Sequence, residues 1–331
     1  MTGEHTTSVG DSVPDRFDVR EFARTAVGSY RSEIDLEAFA ARPLEPATVR
    51  VLATMRELER STMTYLRNVL VTPTHKDARV TAFLTTWAFE KFWIADSFEA
   101  IARAHGLDVT EPLPLSRFRG LALELAERAT PIVESFRANS IGPDVIGLHM
   151  ASVTIDEWIT ESAYTKLAEI DPHPVLLAVL DHVQEVKKRH RLFVEVDAVN
   201  RLESSPRARS LSRRSLPRAA WPIGAASLPK SETAFFYETL IDDALAVRID
   251  EKVQGLPGLE KLRLVRTARA KALRGGSTPT ATTGRWLGRA AATAKNALPH
   301  STSTSPSNTT AKTPTTTTTT TTDSLKGGPT G

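Results

Sequence analysis

Cysteine is absent from all 331 residues, which excludes disulfides, thiolate-bound zinc, iron–sulfur clusters and cysteine nucleophiles. Any metal would have to sit on carboxylates and imidazoles. No run of roughly 18 to 20 uninterrupted apolar residues occurs, so no segment reads as a membrane span. The amino terminus, MTGEHTTSVGDSVPD, lacks the basic-then-apolar order of a signal peptide. These absences lead us to expect a cytoplasmic protein in a reducing compartment. A phosphate-binding glycine loop, a nucleophile elbow and a dinucleotide fingerprint are missing too, which argues against nucleotide-dependent and serine-hydrolase chemistry.

The hydrophobic content of 40% is ordinary for a globular chain. The formal net charge of +3 conceals an asymmetry. Residues 201–331 hold 20 Lys/Arg against 9 Asp/Glu, so they carry +11 and the first 200 residues carry −8. An acidic body with a basic tail region suggests an anionic partner for the tail: nucleic acid, a membrane surface or the body itself.

Four long segments with helical apolar spacing occupy residues 46–71, 75–105, 143–170 and 174–202. Pro46 suits a first helical turn, the TPT at Thr72 to Thr74 stops the first pattern, and Gly106 suits a left-handed cap after the second. The first two segments and the last two form hairpins. Between them runs a connection over residues 107–141, with an expected helix of its own from Ser116 to Arg128. Two hairpins joined by a long crossover give an all-α fold laid out as a ferritin-like four-helix bundle. Five stretches follow: an N-terminal extension with a short helix (1–44), the bundle (45–202), a basic Ser/Pro/Arg linker without regular structure (203–231), C-terminal basic helices (232–298) and a disordered Thr-rich tail (299–331). The expected C-terminal helices are 232–247, 259–273 and a short one at 285–298.

Acidic residues fall on the buried stripes of this bundle. Glu59 lies at Met55 + 4 and Leu66 − 7, and Glu90 at Trp87 + 3 and Ile94 − 4. The third segment offers Glu157 and Glu161 one turn apart, either of which would serve. On the fourth, the stripe Leu176, Leu180, Val183, Lys187, His190, Val194 puts a lysine and a histidine on the apolar face. An unpaired buried carboxylate costs several kcal/mol, so two facing one core imply a compensating cation or a protonated pair. A carboxylate-bridged metal pair in such a bundle uses a Glu from each of two helices and a Glu-x-x-His pair from each of the other two.

The stretch WAFEKFWIADSFEAIARAHG resembles the second bundle helix of the acyl carrier protein desaturases and other ferritin-like di-iron proteins, which carry Glu-x-x-His there. With ESAYTKLAEIDPHPVLLAVLDHVQEVKKRH, the resemblance covers roughly residues 45–202. It implies metal ligation by Glu59, Glu90, Glu157 or Glu161, and His190. Two positions depart from the pattern: Trp93 stands where the first histidine would be, and Lys187 where a helix-paired glutamate would be. Indole nitrogen is a donor only and an ammonium has no lone pair, so neither binds a metal. We therefore expect a degenerate, metal-free site in which Lys187 pairs with Glu90 and the third-helix glutamate while Trp93 fills the vacated volume. A site with one or two iron ions is the alternative, with His149 able to approach it from farther along the third helix. Glu185, Lys188, Arg189 and Arg191 are expected on a solvated face.

Three function classes follow. The first is a non-catalytic binding or scaffold module, and the second a non-haem di-iron oxidoreductase acting on a hydrophobic or acyl small molecule. The third is a bundle that meets an anionic membrane surface through basic helices in residues 257–298. Nucleic acid is a weaker partner, because aromatics are not interleaved with the linker arginines. A homodimer is compatible with the pattern, and no catalytic residue is assigned.

Overall fold

In the computed structural model, residues 17–107 and 142–276 are described. The expected helices at 116–128 and 285–298, and the tail at 299–331, lie outside those residues. The described residues are all α, with no strand among them. Helices α1 (Val19–Arg24) and α2 (Ala38–Ala41) precede four long ones: α3 (Pro46–Leu70), α4 (Ala78–Ala104), α5 (Val145–Ile170) and α6 (Pro174–Ser204). Then come α7 (Pro206–Ser215), α8 (Lys230–Leu240), α9 (Asp243–Gln254) and α10 (Leu264–Gly276). No helix of the described residues is long and apolar enough to cross a membrane.

The punctuation of the long helices explains their ends. Pro46 occupies the first turn of α3, where its missing N–H costs nothing. Asp77 caps α4 by accepting from the Val80 N–H, after a 3-10 turn at Pro73–Lys76 that delays the helix by three residues relative to the sequence reading. Gly106 ends it at φ +74°, with the Leu107 N–H returning to the Ala102 carbonyl. The α5–α6 hairpin is tight: only Asp171 to His173 intervene, and the His173 Nδ1 accepts from the Val175 N–H. Each long helix spans roughly 40 Å at about 1.5 Å per residue. α3 packs on α4 and α5 on α6. α4 and α5 bury apolar residues around most of their circumference, so they form the centre of the molecule.

The Ser/Pro/Arg stretch is ordered, against the expectation of an irregular linker. Ser205 caps α7 through the Ala208 N–H, Pro206 takes the first turn, and Ala208, Ser212 and Leu216 recur every four residues on the buried side. Small residues permit a close approach here, since a Cβ on Gly147 of α5 would lie 3.1 Å from the Ala208 Cβ. The helix expected over 232–247 is two helices, because Asp242 caps α9 by accepting from the Leu245 N–H. α10 begins at Leu264 rather than Leu259. Its Leu264 and Val265 are buried, and it packs on α8 and α9 rather than on the acidic bundle helices. The buried Asp250 fixes its start by accepting from the Val265 and Arg266 N–H groups at 2.8 and 3.2 Å.

The C-terminal helices are attached at a turn with no room for a side chain. Gly224 has φ +91°, and a Cβ there would lie 2.4 Å from the Ser61 Cβ on α3. Gly224→Ala should therefore lower stability by about 2 kcal/mol or more, combining left-handed strain with a clash against a short side chain. Chemical denaturation measures this, and an unchanged midpoint would mean that the turn yields freely.

Candidate functional site, a buried charge network

Four helices contribute charged side chains to the middle of the bundle. Glu59 comes from α3, Glu90 and Lys91 from α4, Asp156 and Glu157 from α5, and Lys187 and His190 from α6; none is more than 1% exposed. Lys91 and Glu157 lie at its heart. The Lys91 Nζ hydrogen-bonds to the Asp156 Oδ2 at 2.8 Å and the Glu157 Oε1 at 3.4 Å, and sits 3.0 Å from the Glu59 Oε2. Glu157 also accepts from the Trp87 indole N–H at 2.8 Å. Its other oxygen lies 2.9 Å from the Lys187 Nζ, an ion-pair distance without hydrogen-bond alignment. The Tyr164 hydroxyl donates to the Glu59 Oε1, and the Lys187 ammonium stands 5.5 Å from the Tyr164 ring centroid.

A second group adjoins the first. The His190 Nε2 and the Glu90 Oε2 are 2.7 Å apart, and the His190 Nδ1 is 3.4 Å from Glu157. The remaining Glu90 oxygen accepts from the Val27 backbone N–H at 2.8 Å and from Arg189 at 3.2 Å. Arg189 continues outward to the Phe22 carbonyl and the Thr25 hydroxyl. The segment after α1 is thus latched to the core through Glu90. On the opposite side the free Asp156 oxygen accepts from the Ile223 N–H at 2.8 Å, which fastens the C-terminal region.

The electrostatics are set by desolvation against pairing. Burial alone would lower the Lys91 pKa, but Asp156, Glu59 and Glu157 outweigh it and hold the ammonium well above its usual range. Burial would raise Glu157, yet Lys187, Lys91 and His190 keep its carboxylate well below the ordinary value. For Asp156 burial wins over Lys91, and its pKa is raised. Burial and the Glu59 carboxylate hold the Tyr164 phenol well above its usual range. His190 is pushed down by burial and up by Glu157 and Glu90, with a net rise that favours the imidazolium. With His190 protonated, four carboxylates face two ammoniums, one imidazolium and one guanidinium, so the network is neutral.

The structure brings Glu59, Glu90, Glu157, Lys187 and His190 together and corrects several details. Glu161 is excluded: its side chain is 22% exposed and pairs with Arg191 at 3.1 Å, because four residues further along α5 the face has rotated towards α6. Lys187 pairs with Glu157 and not with Glu90, which His190 and Arg189 hold. Trp93 does not fill the space among the carboxylates. It is half-buried at the rim, in ring contact with the exposed Phe89 and Phe92. Arg189 turns inward instead of lying on a solvated face. His149 stays away from the site, with its Nδ1 2.8 Å from the Thr74 hydroxyl, and burial lowers its pKa to about 4.

Lys91, Asp156 and Tyr164 were missed by sequence reasoning. Lys91 and Asp156 adjoin Glu90 and Glu157 in sequence, about 100° round the helix from them, and a single-stripe reading excludes such neighbours. Because α4 and α5 are enclosed on most sides, both neighbours face inward. The available signal was the breadth of their apolar surface. Among the described residues, no three His, Asp or Glu side chains converge as a metal-ligand set. No family model, curated protein or solved structure matches this chain.

Two measurements probe the network. Lys187→Met strands Glu157 beside the remaining ammonium and should destabilise the protein by about 3–5 kcal/mol, whereas adding Glu157→Leu should recover part of that loss. A double-mutant cycle by urea denaturation gives the coupling, and purely additive effects would show the pair to be independent. The second concerns pH. Since the folded His190 pKa lies above its unfolded value near 6.5, its contribution is fully present below that value and fades as pH rises through the folded pKa. The stability gap between the wild type and His190→Gln should accordingly be larger near pH 6 than near pH 9. Glu157 works in the opposite sense, its stabilisation disappearing as pH falls through its lowered pKa.

Proposed function

We propose that this chain is a ferritin-like bundle whose di-iron centre has been replaced by lysine–carboxylate pairs, and that it serves as a non-catalytic binding or scaffold module. The observation that carries this reading is the position of the two ammonium groups. Lys91 and Lys187 stand among Glu59, Asp156 and Glu157 at 2.8–3.4 Å, where metal ions would need those same oxygens. The remaining ligands are also committed, since the His190 Nε2 is engaged with Glu90. Trp93 has no lone pair to offer in place of histidine. A pair of irons with six protein ligands does not fit this donor set, so we derive no oxidative step through it.

What the network does instead is structural. Carboxylates of the cluster present oxygens to other parts of the chain. Glu90 engages the segment after α1, Asp156 engages the turn before α8, and Glu59 accepts from Tyr164. A fixed core of this kind suits a module that displays surfaces rather than one that turns over substrate.

Elemental analysis of full-length protein from iron-supplemented culture, with a visible absorption spectrum, tests the reading. We expect iron far below one per chain and no ferric charge-transfer band. About two irons per chain would defeat the proposal and restore a di-iron oxidoreductase as the better account.

A further inference from the structure

A run of positive charge lies on α7 and just beyond it, with the Asp144 carboxylate 3.8 Å from Arg207. From Ser204 to Ser231 the chain carries Arg207, Arg209, Arg213, Arg214 and Arg218, and no aspartate or glutamate. With Ala208, Ser212 and Leu216 turned inward, Arg207, Arg213, Arg214 and Arg218 are exposed. Arg209 anchors this face by donating to the Leu202 and Glu203 carbonyls at 2.7 and 2.9 Å, which closes the end of α6. The turn before α10 rests on the same face, since a Cβ on Gly258 would lie 2.7–2.8 Å from the Arg209 side chain. That turn adds the exposed Lys261 and Arg263. Its one carboxylate, Glu260, is held low first by the N–H groups of Glu260 and Gly258 and then by Arg213 and Arg209.

Such crowding works against the fold. Arg209 and Arg213 are like charges four residues apart on α7, a spacing that destabilises a helix, and Arg214 and Arg218 add two more beside them. A complementary anionic surface would relieve that repulsion. We propose that α7 and the 258–263 turn form a docking surface for an anionic phospholipid bilayer. Guanidinium forks match phosphate oxygens in pairs. Pro217, Ala219 and Ala220 are exposed beside the arginines and present small apolar side chains to the headgroup layer. A single-stranded nucleic acid would want aromatic platforms, whereas Trp221, the one aromatic in this stretch, is buried with its indole N–H on the Leu216 carbonyl. The surface uses no residue of the charge network and stands independently of the function proposed for it.

Flotation of the full-length protein with two kinds of vesicle tests the proposal: phosphatidylcholine alone, and equal parts phosphatidylcholine and phosphatidylglycerol. The protein should float only with the anionic vesicles, and less as salt screens the contact. Arg213→Glu with Arg214→Glu should weaken binding by roughly 30-fold or more, from about a factor of five for each charge removed. Arg42→Glu with Lys188→Glu makes the same change in net charge elsewhere and should leave most of the binding intact. Melting temperatures confirm folding, and Arg213→Gln with Arg214→Gln replaces the reversal if that variant melts early. Absence of flotation, equal binding to neutral vesicles, or equal loss in both charge variants would each overturn the proposal. So would duplex DNA or RNA binding that is lost in the α7 variant while no vesicle binds, an outcome that would assign the arginines to nucleic acid.

Discussion

Everything near the centre of this protein is arranged around the desolvation of Glu157. A carboxylate fully removed from water is stable only if its lost hydration is replaced by groups held in fixed positions. Glu157 is met by Lys91 and Trp87 from α4 and by Lys187 and His190 from α6. Those partners fix the rotation of α4 and α6 about their axes as well as their heights relative to α5. A slip of one residue in any of these helices would turn a partner by about 100° and leave a charge unpaired. Apolar packing alone tolerates such a slip far better.

The network also reaches beyond the bundle. Glu90 and Asp156 each turn one oxygen to a backbone N–H group, an oxygen that Asp156 keeps free of its ionic partner and that Glu90 shares with Arg189. Val27 lies in the segment after α1, and Ile223 lies in the turn that carries the chain towards α8. Two peripheral stretches are therefore tied to the same charge cluster from opposite sides. This explains the order of a stretch whose composition reads as a linker. α7 and the following turns are short and arginine-rich, yet Ala208 packs on Gly147, Trp221 donates to Leu216, and Ile223 ends on Asp156.

The legible part of this arrangement was its periodic part. Long apolar stripes, proline at helix starts and glycine after helix ends gave four long helices nearly at their observed bounds. They also placed Glu59, Glu90, Lys187 and His190 inward, because a charge on a stripe stands out. The unreadable part was rotational. Whether Glu157 or Glu161 faces inward depends on some 40° of helix rotation, and α5 is apolar over so much of its surface that both positions look buried. Lys91 was hidden for the same reason, on a second inward-facing line of α4. In the 203–231 stretch, the order comes from tertiary contacts with Ser61, Gly147 and Asp156, residues distant in sequence.

Lys91 decides the charge balance of this cluster. Lys187 alone would leave the inner group of Glu59, Asp156 and Glu157 with a single ammonium for three carboxyls. The second ammonium, together with the imidazolium of His190 and the Arg189 guanidinium, brings the cluster to neutrality. A neutral, largely buried ionic cluster gains little over an apolar core of the same volume, and well-packed hydrophobic replacements are often as stable or more so. Net stability is therefore a poor reason for keeping it. The directional contacts are a better one: charged groups with named partners define a single rotation for each helix and a single landing point for Val27 and for Ile223. In this protein the cluster's physical contribution is to specify where its outer parts are held.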